Sequence, residues 1–154
     1  MRLDKLTTKF QEALGEAQSL ALGKDNAYIE PAHLLLAMLR QADGPKSLLQ
    51  RAGVNVPGLT KAAEDAVKRL PEVKGQEQVQ PGPDLIKLLQ ATEKEAIKRG
   101  DAFIASELFL LALADHKGEI GRTANENGLS RKSLEAAIEA VRGGQKMDSV
   151  SYTH

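Results

Sequence analysis

Residues 27–39, AYIEPAHLLLAML, and residues 102–114, AFIASELFLLALA, are two versions of one segment. Ala27-Tyr28-Ile29 aligns with Ala102-Phe103-Ile104, and Leu35-Leu36-Ala37 with Leu110-Leu111-Ala112, at a constant offset of 75 residues. The same offset carries Gly53 onto Gly128, Leu59 onto Leu134, Ala62 onto Ala137 and Glu64 onto Glu139. The matched positions are mostly those of a core or a helix stop, so the chain reads as two tandem copies of one unit. A single copy cannot bury its apolar face alone, whereas two copies packed together make one domain.

Outward from these segments the periodicity is helical. Phe10, Ala13, Leu14, Ala17, Leu20 and Ala21 form one apolar stripe. A Thr8/Gln11 capping box is expected to open that helix, and Gly23 to end it in a left-handed conformation. Pro31 suits the first turn of a second helix, where its missing N–H is not needed. Leu34, Leu35, Leu36, Met38 and Leu39 make this helix apolar nearly all round, which marks it as central. Pro45 opens a short third helix carrying Leu48 and Leu49 and stopped at Gly53. Pro57 opens a fourth, with Leu59, Ala62, Ala63, Ala66, Val67 and Leu70 inward and Pro71 at its end.

Residues 71–83, PEVKGQEQVQPGP, read as a linker. Leu85, Ile86, Leu88, Leu89, Ala96 and Ile97 then line a long helix closed by Gly100. Ser106–Ala114 is a second all-apolar helix, a short one precedes Gly128, and the last runs from about Ser130 to Arg142. No stretch alternates with period two over β-branched residues, so no sheet is predicted. The expectation is an all-α single domain over 1–144. Four-helix repeats at about 1–70 and 84–143 are related by a pseudo-two-fold axis, and a polar, frayed tail follows at 145–154.

Composition narrows the chemistry. Among 154 residues, 21 Lys and Arg balance 21 Asp and Glu, and aromatics are 3%. A broad basic face for nucleic acid and a base-stacking platform are both disfavoured, and no nucleic-acid partner is expected. There is no Cys, which excludes disulfides and thiolate metal sites and points to the cytoplasm. The N-terminus, MRLDKLTTKF, has no apolar signal region, and the run Leu34–Leu39 is far too short for a bilayer, so no membrane partner is expected.

No Walker A, GxGxxG, HExxH or GxSxG pattern occurs, so no nucleotide, metal or cofactor and no catalysis are expected. Glu30-x-x-His33 has the spacing of a di-metal bundle pair, but the repeat copy places Ala105 and Leu108 there. His33 is therefore read as a structural hydrogen-bonding group at the start of a buried helix. His116 and His154 have no ligand partners nearby and are read as solvated. Arg99-Gly100-Asp101 is read as a helix C-terminus, a basic residue and then a C′ glycine.

Residues 1–39, the VQP at 79–81 and KRGDAFIASELFLLAL at 98–113 resemble the Clp N-terminal domain family, in particular the domains of ClpB-type protein disaggregases. The motif I-x-P-x-H-L-L at Ile29–Leu35 is general to that family, and RGD-x-F-I-x-S-E-L-F at Arg99–Phe109 is closer to the ClpB type. The resemblance covers residues 1 to about 144. After Gly144 no ATPase module follows and MDSVSYTH does not align, which suggests an excised or truncated domain.

The resemblance implies an eight-helix, two-repeat domain above a hexameric AAA+ ring of the same parent chain. Its implied role is to engage unfolded or aggregated polypeptide and pass it toward the ring, with adaptor docking as the alternative. The isolated domain is expected to be a monomer. Carried onto this sequence, a polar substrate-facing set falls on Thr7, Asp101 and Glu107, and an apolar groove on Leu89 and Leu108. The alternatives are an N-cap for Thr7, helix-entry roles for Asp101 and Glu107, and core packing for the two leucines. A serine of the family's linker falls on Gly82, so any role for its hydroxyl is lost.

Overall fold

The computed structural model describes residues 2–143 and 147. Helices α1 (Thr8–Gly23), α2 (Pro31–Arg40), α3 (Lys46–Arg51) and α4 (Val56–Lys68) form the first unit. Helices α5 (Pro83–Arg99), α6 (Ser106–Ala114), α7 (Glu119–Glu126) and α8 (Arg131–Arg142) form the second. Thr8, Pro31 and Val56 shifted by the sequence offset land on the first residues of α5, α6 and α8. The all-α double repeat is therefore present.

Helices α2 and α6 lie at the centre. Leu34, Leu35, Leu36 and Met38 of α2, and Leu108 to Leu111 and Leu113 of α6, are buried. Helix α1 packs on α2 and α5 on α6. Across the units α3 meets α8 and α4 meets α7, which are equivalent contacts under the repeat. Phe10 of α1 meets Phe109 of α6 edge to face, with ring centroids 6.4 Å apart and planes at 65°. At the junction of the units the Asn55 N–H donates to the Asn127 carbonyl at 2.8 Å. Gly128 sits there at φ +95°, and a Cβ on it would come within 2.9 Å of the Gly53 carbonyl oxygen. Glycine is required at that position by both conformation and space.

One expectation fails. A two-residue parallel pairing joins β1 (Tyr28–Ile29) to β2 (Gln80–Pro81), with Ile29 opposite Pro81. Leu6 and Ile104 form a matching parallel bridge. The two are the same contact under the repeat, because Leu6 corresponds to Pro81 and Ile29 to Ile104. Each unit's leading segment thus pairs with the other unit. The Gly82 N–H donates to the Ile29 carbonyl, and the Thr7 N–H to the Ile104 carbonyl, each at 3.0 Å. Two residues are too few to display an alternating pattern, so the sequence gives no sign of these strands. The linker is accordingly shorter than 71–83, since β2 and the start of α5 fall within it.

Local readings also shift. Thr7, not Thr8, caps α1: its Oγ1 accepts the Phe10 N–H, and Gln11 donates to the Leu6 carbonyl instead of closing a box. The left-handed residue after α1 is Asp25, at φ 55°, rather than Gly23. Ile86 and Ile97 do not line α5. They are 44% and 73% exposed, while the buried stripe runs through Leu85, Leu88, Leu89, Thr92 and Ala96. Ile86 stands three residues before buried Leu89 and is still exposed, so apolar character and helical spacing alone do not put a residue inside. Leu70 is only half-buried.

Candidate functional site

Helix α5 stops as expected, with Gly100 in the left-handed region at φ 74°. The chain then turns, the Asp101 N–H donating back to the Ala96 carbonyl at 2.9 Å. It pairs Ile104 with Leu6 and enters α6 at Ser106. Thr7, Asp101, Glu107 and Leu108 all border this connection between α5 and α6.

Asp101 and Glu107 share one cation. Arg142, the last residue of α8, donates from Nη1 to Asp101 Oδ2 at 2.8 Å and from Nε to Glu107 Oε2 at 3.3 Å. All three side chains are almost wholly buried. Burial works against a charge on Arg142, but the Glu107 and Asp101 carboxylates outweigh it and hold its pKa above the ordinary arginine value. The second oxygen of Asp101 accepts the Met147 N–H at 2.8 Å, and the Met147 carbonyl accepts the Ala102 and Phe103 N–H groups at 2.9 and 3.0 Å. Met147 is buried. The frayed tail expected at 145–154 otherwise lies outside the described residues, as do Gly144 and His154.

The structure brings Thr7, Asp101 and Glu107 to one connection and assigns each a structural partner. Thr7 is the α1 cap, and Glu107 lies in the first turn of α6, where a carboxylate favours the helix dipole. Leu108 is 0% exposed, so a partly open groove position is not what it occupies, and Leu89 on α5 is also buried. Core packing describes both leucines. Arg142 and Met147 were missed. Arg142 could have been found, because the repeat aligns it with Val67, a buried position in the first unit. No sequence signal marks Met147.

The first unit closes the matching place without charge. Asn26, the counterpart of Asp101, bonds from Nδ2 to the Pro71 carbonyl at 3.2 Å and contacts His33 Nε2 at 2.7 Å. His33 Nδ1 accepts the Glu30 N–H at 2.8 Å, and burial lowers the imidazole pKa to about 4. His33 is therefore neutral, with its proton on Nε2 and both nitrogens engaged, as the structural reading expected. No group of three or more His, Cys, Asp or Glu able to hold a metal occurs among the described residues.

Further out, Arg131 binds Glu95 at 2.8 Å and Asp115 at 2.7 Å, and its hydrogen bond to Glu95 lowers that carboxyl's pKa. An open depression of about 620 Å³ lies between α1 and α2, bordered by Lys9, Glu12, Leu20 and Arg40. A cavity of about 250 Å³ at the seam of the units is lined in part by Glu30, Asp84 and His116, so His116 is half-buried rather than solvated. No helix of the described residues is long and apolar enough to cross a membrane.

The family model for the Clp repeat (R) N-terminal domain matches residues 5–127. The chain belongs to this family. It is 45% identical over 150 residues to the chaperone protein ClpB of Vibrio cholerae, and 40% identical over 153 residues to ClpB of Pseudomonas putida. These matches take in 96% and 98% of this chain but 18% of each relative, so the chain spans about a fifth of their length. In fold it is similar to the Hsp104 N-terminal domain of Candida albicans, at TM-score 0.82 and 22% identity over 95% of this chain and 97% of that one. It is also similar to a ClpV N-domain in complex with a VipB peptide, at TM-score 0.70 and 21% identity over 96% and 92% of the two chains.

Proposed function

We propose that this Clp N-domain is the substrate-docking module of a ClpB-type AAA+ chaperone. In this reading it engages unfolded or aggregated polypeptide in the cytoplasm and helps deliver it to a hexameric ATPase ring formed by later modules of the same parent chain. The observation that carries the reading is the convergence of Thr7, Asp101, Glu107 and Leu108 on the α5–α6 connection, while Leu89 is buried earlier on α5. Because all five side chains are buried, their proposed role is to fix that connection, whose Ala102 is exposed and Phe103 half-exposed. Polypeptide would meet the connection itself. A rigid edge with few fixed side-chain demands suits partners of variable sequence.

Binding should be weak, because a flexible chain is ordered on a small contact, and weak binding permits onward transfer. The test is titration of the chain against a labelled, permanently unfolded protein and against the same protein folded. Saturable binding of the unfolded form alone, by a chain that sediments as a monomer and takes up no ATP in calorimetry, is the expected result. Failure to bind the unfolded form would refute the reading. The second reading, docking of a dedicated adaptor, is favoured by the ClpV N-domain relative that carries a VipB peptide. Retention of a folded partner instead of the unfolded probe would select it.

A further inference from the structure

We propose that Met147 occupies, in cis, a one-residue docking site for extended polypeptide, and that a captured chain displaces it. The inference rests on the docking function above and names the atoms that perform it. Three main-chain contacts define the site. Asp101 Oδ1 accepts the N–H of the seated residue at 2.8 Å, and the Ala102 and Phe103 N–H groups donate to its carbonyl at 2.9 and 3.0 Å. Both polar groups of one residue are thus read, and neither contact depends on the identity of its side chain. The main-chain part of this recognition is indifferent to sequence, and any selection comes from the enclosed side chain.

The site is built rather than incidental. Arg142 holds the other Asp101 oxygen at 2.8 Å, which fixes the direction of the acceptor. The side chain of the occupant is enclosed, since Met147 is 1% exposed, so the site takes an unbranched apolar side chain as well as a backbone. Unfolded polypeptide presents such side chains, whereas folded proteins bury them.

The first unit has a backbone bridge at the corresponding place, with a different hydrogen-bond pattern. Glu72, the repeat counterpart of Met147, bridges Asn26, the counterpart of Asp101. Glu72 is held on one side by α4 and on the other by β2, and the neighbouring Val73 N–H donates to the Asp25 carbonyl at 2.6 Å. Met147 follows α8 and belongs to no helix or strand. Its hydrogen bonds to Asp101, Ala102 and Phe103 belong to no helix or strand. A competitor tethered in this way raises the apparent Kd of a partner by the inverse of the fraction of time the site is open.

The test uses the complete 154-residue chain and its Met147→Pro variant, which lacks the N–H that Asp101 accepts. The probe is reduced, carboxymethylated α-lactalbumin carrying a fluorophore. The expected result is at least about threefold tighter binding by the variant, whose fold is verified by a cooperative thermal transition. In the native chain, saturation with probe should speed exchange of the Met147 amide by about tenfold or more. Equal or weaker binding by a folded variant overturns the inference. A Met147 amide that stays protected at saturation also overturns it, and decides the matter alone if the variant does not fold. Either result leaves the docking reading standing, because the native chain still binds. Absence of binding by both chains removes the docking reading and this inference with it.

Discussion

The two units share a backbone and differ in what they place at the entrance of the central helix. In the first, Asn26, Ala32 and Val67 stand where the second has Asp101, Glu107 and Arg142. The first is closed by neutral hydrogen bonds through Asn26 and His33, the second by a buried guanidinium between two carboxylates. The neutral version draws on the Pro71 carbonyl, and the charged version reaches the end of α8 and Met147. A buried ion triad adds little stability over an apolar substitute, because desolvation offsets the attraction. Its presence in only one unit therefore signals positioning, and the part it positions is the α5–α6 connection.

The sharpest way to break this comparison is to remove the cation. Arg142→Ala leaves two carboxylates buried together and is expected to cost about 3–5 kcal/mol, read by urea denaturation. Val67→Ala at the equivalent place should cost only about 1–2 kcal/mol, from lost volume alone. Equal losses at the two positions would erase the distinction between the units.

The shared part of the core sets the next test. Leu36→Ala and Leu111→Ala, buried counterparts on α2 and α6, are each expected to cost about 2–5 kcal/mol. Unfolding midpoints that fall together would confirm equivalent packing, and a loss below about 0.5 kcal/mol at either would place that residue outside the core. Leu108→Gln is expected to behave like these variants, since it buries an amide where no groove opens.

The neutral closure should reveal itself through pH. The His33 pKa is lowered from 6.5 to about 4 in the folded state, so the unfolded chain binds the proton more readily between these values. The stabilisation is complete above about pH 6.5 and is lost as the pH falls toward 4, by an expected 1–3 kcal/mol, roughly, after solvent screening. Glu30, raised by burial and then by Asp84, works in the opposite sense and reduces the slope. Denaturation of the native chain and of His33→Gln at pH 7 and pH 4.5 isolates the histidine term. An identical fall in both would assign the acid sensitivity elsewhere.

The smallest effect is expected from making the units alike. The triple replacement Asp101→Asn, Glu107→Ala and Arg142→Val gives the second unit the residues of the first. Its stability should change by less than about 1 kcal/mol or rise, while binding of unfolded polypeptide falls. Unchanged binding with unchanged stability would show that the ion triad positions nothing the partner uses.

Much of the fold was legible because it depends on local spacing. The all-apolar runs at 34–39 and 108–113, the helix-entry Pro31 and the stop at Gly100 each act within a turn or two of chain. The Thr8/Gln11 box failed for a similarly local reason, since adjacent threonines can both cap and only the path of the preceding segment chooses. That path is fixed by the bridge of Leu6 to Ile104, a contact between units. The resemblance located Asp101 and Glu107. Their partner Arg142 was marked only by its alignment with buried Val67, because an arginine at a helix end taken alone reads as a solvated, dipole-favouring residue.

By itself the sequence determined that this is an all-helical, twice-repeated domain without a phosphate-cradling loop, because periodicity, helix stops and a constant offset are properties of the chain. Only the tertiary structure decided how the repeats interlock, which polar residues are buried, and that Met147 is seated on the α5–α6 connection. Those outcomes depend on hydrogen bonds between groups 35 to 46 residues apart at the ion triad and Met147, whose geometry no local pattern encodes. The polar partners of a buried group are fixed by which segments the core brings together, and the core is made by apolar residues that do not specify them.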